Sequence, residues 1–242
     1  MTYAYGDSPE QFATLAVPTT PGPHPIVVLI HGGFWRAAYG LDLMEPLAAD
    51  LVGRGYAAWN IEYRRVGQPG GGWPGTLADV AAVIDKLIDV AEDASLDLTR
   101  VSVVGHSAGG HLALWAAGRG GLDRGVPGAD PVVEVAAAVG LAPVTNLRMG
   151  ATDRVGNGAV VDFLGGSLEE FPDRYAVAEP NLTGDARYAI IEGDADDIVP
   201  ERFARPDRPG VVKFVLIRGA DHFDVIDPQH EAWTAAVAEL AS

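Results

Sequence analysis

Residues 101–104 read as a short, largely apolar strand, and they run without a break into Gly105-His106-Ser107-Ala108-Gly109-Gly110. A helix-forming stretch then continues to Gly118. A chain that passes from strand to helix through so few residues must turn very sharply. Side chains at 105 and 109 would collide with the flanking strand and helix, so both positions call for glycine. The turn lifts the Ser107 hydroxyl above the sheet edge. It also aims the free N–H groups of the helix N-terminus at the space in front of that hydroxyl. A serine so placed is a candidate nucleophile, and the Ala108 N–H is a candidate donor to an oxyanion forming beside it. The pattern G-x-S-x-G also occurs in plain glycine turns; the strand before it and the helix after it give it meaning here.

The rest of the chain fits that reading. Residues 26–30, 57–63, 132–141, 188–192 and 211–217 form continuous apolar runs expected as strands. Between them lie helical patterns at 43–54, 77–91 (capped by Thr76), 107–118 and 228–240. Apolar strands alternating with helices imply a mostly parallel sheet covered on both faces, an α/β fold. With 242 residues and a hydrophobic content of 48%, the chain can bury one large core, and residues 1–242 are read as a single domain. Two segments interrupt the alternation. Residues 143–183 make a long excursion, expected as a small cap, and residues 201–210 make a short, proline-bearing link.

Charge and cysteine content exclude several functions. The net charge is −16, so nucleic acid and anionic membrane surfaces would repel the protein. The chain has no cysteine, which rules out disulfides, thiolate nucleophiles and cysteine-ligated metals. There is no H-E-x-x-H or comparable ligand pair, so no metal site is expected. No apolar run has the length to cross a bilayer. Residues 1–12 show neither a basic region nor an apolar core of a leader, and a cytoplasmic location is the expectation. Nothing in the sequence sets an oligomeric state.

A second glycine motif, His31-Gly32-Gly33-Phe34-Trp35, follows the strand at 26–30. Two N–H groups must converge on one oxygen in an acyl-transfer site, and Gly33 or Phe34 can supply the second beside Ala108. In hydrolases built on such an elbow, which this chain resembles, the base comes late in the chain, after the serine and the acid. Of six histidines, His222, in the loop after the strand at 211–217, is the one placed to reach Ser107. The acid lies among Asp194, Asp196 and Asp197, on the loop leaving the strand at 188–192. Phe34, Trp35, Trp73, Phe163 and Phe223 are candidate pocket walls.

The pairing of His31–Trp35 with Gly105–Gly110 resembles the α/β-hydrolase serine esterases of the hormone-sensitive-lipase and carbohydrate-esterase kind. Trp35 after H-G-G-x is most similar to the kynurenine formamidases (arylformamidases), as are Tyr63-Arg64, Trp73-Pro74 and Asp79. The likeness runs over about residues 10–240. It implies the α/β-hydrolase fold and cleavage of small carboxylic esters through a Ser-His-Asp triad and an acyl-enzyme, with no cofactor. A formamide is the alternative substrate. In related hydrolases the acid stands three residues after a glycine and ahead of a Val-Pro pair; counting from Gly193 gives Asp196. The link at 201–210 is shorter than usual for such enzymes, which leaves the pocket wall at 202–208 undetermined. A rival of another class is a non-catalytic ligand-binding protein on the same scaffold.

Overall fold

The computed structural model describes residues 1–182, 184–205 and 212–240. Among the described residues eight strands form one sheet: β1 (Thr2–Ala4), β2 (Phe12–Ala16), β3 (His24–Ile30), β4 (Ala57–Ile61), β5 (Leu96–His106), β6 (Ala137–Leu141), β7 (Arg187–Gly193) and β8 (Val212–Ile217). Their spatial order is β1-β2-β4-β3-β5-β6-β7-β8. The run from β4 to β8 is parallel, while β1 and β2 add an antiparallel margin beside β4. This is the α/β-hydrolase fold.

Strand β3 shows why continuous apolar runs became central strands. Val28 and Ile30 join the core on one face, and Val27 and Leu29 join the core on the other. Side chains alternate across a strand, so a strand covered on both faces needs apolar residues at every position. The helices α1 (Glu45–Gly53) and α9 (Glu231–Val237) cover one face with Leu47, Leu51, Ala232 and Trp233. On the other face lie α2 (Gly75–Asp85), its short continuation α3 (Leu87–Val90), and α4 (Ala108–Gly118).

The boundaries moved for identifiable reasons. The sixth strand begins at Ala137 and not at 132, because the Val132 and Val133 N–H groups donate to the Asp85 carboxylate and not to a ladder. Thr76 does not cap α2. It lies inside the helix, where its hydroxyl donates to the Arg64 carbonyl and accepts from the Gly72 N–H, tying down the loop before the helix.

The excursion after β6 folds into α5 (Leu147–Thr152), α6 (Val155–Leu164) and α7 (Pro172–Ala178). Val155, Val160, Phe163 and Tyr175 sink into the same core as α2 and α4. The short link carries one turn of helix, α8 (Glu201–Ala204); its residues 206–210, and Val211 and Thr183, lie outside the described residues. Among the described residues no helix is long and apolar enough to cross a membrane.

Candidate active site

Ser107 occupies the corner between β5 and α4 with φ 56° and ψ −120°, a conformation strained for any residue with a side chain. The packing that enforces it is tight. A Cβ at Gly105 would lie 2.0 Å from the Gly109 carbonyl oxygen, and one at Gly109 would lie 2.2 Å from that of Ile30. Neither site tolerates even a methyl group. Ala108 is the first residue of α4, where backbone N–H groups have no partner within the helix.

His222 stands in the loop between β8 and α9. Its Nδ1–H donates to Asp196 Oδ2 at 2.6 Å, and both side chains are buried. Asp196 Oδ1 accepts the N–H groups of Ile198 and Val199 at 2.9 and 2.8 Å. Three donors therefore converge on this carboxylate and fix its orientation. The neighbouring acids turn elsewhere: both are exposed, and Asp194 accepts from the Gly219 N–H at 2.5 Å.

Ser107 and His222 line one cleft of about 80 Å³ together with Gly33, Phe34, Tyr39, Leu43, His106, Ile198 and Phe223. Tyr39, Ile198 and Phe223 form an exposed apolar rim. Among the described residues, the Gly33 and Phe34 N–H groups donate to no other protein group, which leaves both free for an anionic oxygen. No residue of the excursion lines this cleft among those described.

Three of the five expected walls are not walls. Trp35 is fully buried: its ring stacks on Phe163 with centroids 4.8 Å apart, and its Nε1–H donates to His111 Nδ1 at 3.3 Å. Trp73 packs against the same core, and its backbone N–H donates to the Phe163 carbonyl at 2.8 Å. An indole needs a large apolar surround, and the space between α4 and α6 supplies one. Phe163 is likewise core, whereas Phe34 and Phe223 do line the cleft.

What sequence reasoning missed beneath the glycine loop is Glu62 and Arg65, the partners on which His31 and the loop rest. His31 Nε2 pairs with the Glu62 carboxylate at 2.9 Å. Glu62 also pairs with Arg65 and accepts from the N–H groups of Tyr63 and Leu41. Burial works against the charge on Glu62, but these partners win and hold its pKa below the ordinary value. The Tyr63 hydroxyl donates to the His31 carbonyl at 2.8 Å, and the Arg65 guanidinium donates to that of Tyr39. Arg64 grips Asp79 from the next helix. The loop is thus fixed at its base from β4. His106 is missed as well. Burial, then the charge of nearby His222, lowers its pKa to about 3. It stays neutral and donates from Nε2 to the His222 carbonyl at 2.8 Å, fixing the backbone of the base.

Among the described residues no group of three or more His, Asp or Glu side chains is arranged to hold a metal ion.

The BD-FAE protein family matches residues 15–205 of this chain. Esterase LipC of Mycobacterium tuberculosis is 28% identical over 98% of the chain, which spans 62% of that protein's length. A truncated carbohydrate esterase from gut microbiota superposes with a TM-score of 0.81 at 20% identity, covering 98% of this chain and 94% of that one. The butyrate-bound esterase Est2 of Thermogutta terrifontis superposes with a TM-score of 0.74 at 19% identity, covering 98% and 90%.

Proposed function

The chain belongs to the BD-FAE family, and from that premise we propose that it is a serine carboxylesterase cleaving short-chain esters at Ser107. The observation that carries this reading is the cleft. It gathers a strained, elbow-borne serine, a histidine bonded to a buried aspartate, and two unengaged backbone N–H groups.

In this reading His222 takes the Ser107 proton as the hydroxyl attacks the ester carbonyl. Asp196 holds the proton of His222 on Nδ1, so that Nε2 is the basic nitrogen, and stabilises the imidazolium that forms. The oxyanion is received by the Ala108 N–H and by that of Gly33 or Phe34. Collapse expels the alcohol, which takes its proton from His222. Water, activated by the same histidine, then releases the acid from the acyl-enzyme. No cofactor enters any step.

The cleft volume of about 80 Å³ lies far below the roughly 300–1,000 Å³ of sites for drug-sized ligands, which favours acetyl to butyryl groups. The butyrate bound to Est2 agrees with a small acyl group. Trp35 carried the likeness to formamidases. Buried beneath the loop and outside the cleft, it does not favour a formamide over an ester.

The test is covalent labelling with a fluorophosphonate probe, run beside hydrolysis of p-nitrophenyl esters from acetyl to palmitoyl and of acetylated sugars. Wild type is expected to label and to turn over acetyl and butyryl esters fastest, and Ser107→Ala to do neither. Labelling that survives in Ser107→Ala would refute the nucleophile. Faster cleavage of palmitoyl than of butyryl ester would refute the substrate range.

A further inference from the structure

The end of β7 carries a buried acid that the proposed reaction does not use. Glu192 is fully buried, the penultimate residue of β7 and four positions before Asp196. Its Oε1 accepts the Gly193 N–H at 3.2 Å. Among the described residues no donor reaches its Oε2, which is buried too. The turn brings Asp196 back against the strand end: its N–H donates to the Gly193 carbonyl at 3.4 Å, and its carboxyl lies within hydrogen-bond reach of that of Glu192. Two acids in contact inside a protein cannot both ionise, so one keeps a proton. The donor count decides which. Asp196 receives two backbone N–H groups and the His222 Nδ1–H, whereas Glu192 receives one backbone N–H.

We infer that Glu192 is a positioning residue, a carboxylic acid whose proton is donated to Asp196 and so holds that carboxylate in place toward His222. The inference rests on the serine-esterase reading, since it assigns Glu192 a role through the acid of that triad. Asp196 becomes a fully solvated anion without water, its charge spread over backbone, imidazole and carboxyl donors.

The surroundings keep the proton in place. Burial first, then the charge of Asp196 and more weakly that of Glu201, pushes the Glu192 pKa up to about 9. Among the described residues of α8 and its end the cations are engaged elsewhere: Arg205 pairs with Glu201 and Arg202 with Asp153. On β8 the residue in register is Leu216, and β6 presents Leu141 beside Ile191. Above about pH 9 Glu192 loses its proton, and two adjacent carboxylates then repel across the triad.

The experiment compares wild type, Glu192→Gln and Glu192→Ala from pH 6 to pH 10. It measures kcat/KM on p-nitrophenyl acetate, corrected for spontaneous hydrolysis, and the rate of fluorophosphonate labelling. Wild type is expected to lose activity along a limb centred near pH 9, leaving roughly a tenth of the plateau at pH 10. Glu192→Gln, whose amide donates the same hydrogen bond and does not titrate, is expected to lose that limb. Glu192→Ala, with no donor, is expected to fall about tenfold on the plateau, and Glu192→Gln to restore it. A Glu192→Gln profile that keeps the wild-type alkaline limb would overturn the inference while leaving the esterase reading intact. Wild type that neither labels nor hydrolyses would overturn both. Should Glu192→Ala not fold, the comparison of Glu192→Gln with wild type decides alone.

Discussion

At the scale of single residues, three aspartates within four positions have different tasks. Asp196 alone is buried and bonded to His222, while Asp194 ties Gly219 and Asp197 faces solvent. Replacing Asp196 by Asn keeps the shape but lets the imidazole settle in the wrong tautomer. By the serine-protease precedent kcat is expected to fall by up to about 10⁴-fold. Asp194→Asn and Asp197→Asn, both exposed, are expected to stay within about threefold of wild type. Steady-state kinetics on one short ester checks all three, and a large loss in Asp197→Asn with a small one in Asp196→Asn would reverse the assignment. Ser107 was legible in the sequence because an elbow is a local structure, written in adjacent residues. Asp196 was reached only by a count carried over from related hydrolases, since three neighbouring aspartates look alike until burial separates them. Glu192, His106 and Trp35 could not be read correctly. Their partners lie 76 to 116 residues away for Trp35 and His106, and the meaning of Glu192 depends on which aspartate turns inward.

At the scale of elements, the glycine loop is held from two sides, by β4 through Glu62 and by the excursion after β6. Arg36 donates to the carbonyls of Gly156 and Asn157 and pairs with Asp162, all on α6. The Phe34 ring covers Gly156 so closely that a Cβ there would lie 2.4 Å from Phe34 Cδ1. Gly156 also has φ 57°, within a run of left-handed residues from 156 to 158. Gly156→Ala therefore strains its own backbone and displaces Phe34, whose N–H is a proposed oxyanion donor. A misplacement near 1 Å is expected to lower kcat by up to about 10²-fold, with little change in KM. A variant with unchanged kcat would show that the excursion does not position the loop. The excursion packs into the core with α2 and α4 and meets the glycine loop through Arg36 and Phe34; length alone does not reveal which way an amphipathic segment faces. The parallel strands were legible for the opposite reason. Burial on both faces writes an unbroken apolar run, whereas β1 and β2, short and half-exposed at the margin, leave no such trace.

At the scale of the whole molecule, the acids set the pH range of stability. With 33 acidic against 17 basic residues, self-repulsion grows as acids ionise. Hydrogen bonds and ion pairs lower the pKa values of Asp50, Glu62, Asp97 and Asp221 in the fold. Each then contributes stability that is present above its unfolded pKa, near 4, and is lost as the pH falls through its lower folded value. Glu192 has the opposite sign. Its ordinary pKa of 4.5 governs the unfolded chain, and the folded value is about 9. Between these two the unfolded chain releases a proton that the folded protein keeps, so rising pH favours unfolding throughout the window. The two effects cross in weakly acidic solution. Wild type is therefore expected to melt at a higher temperature at pH 6 than at pH 9. Glu192→Gln removes the acid that must stay protonated, so it is expected to raise Tm at pH 9 by more than at pH 6 and to narrow the gap. Thermal melts of the two proteins at both pH values measure this directly. A gap of equal size in wild type and Glu192→Gln would mean that Glu192 ionises in the folded protein as readily as in the unfolded chain, and the proton assigned to its contact with Asp196 would not be there.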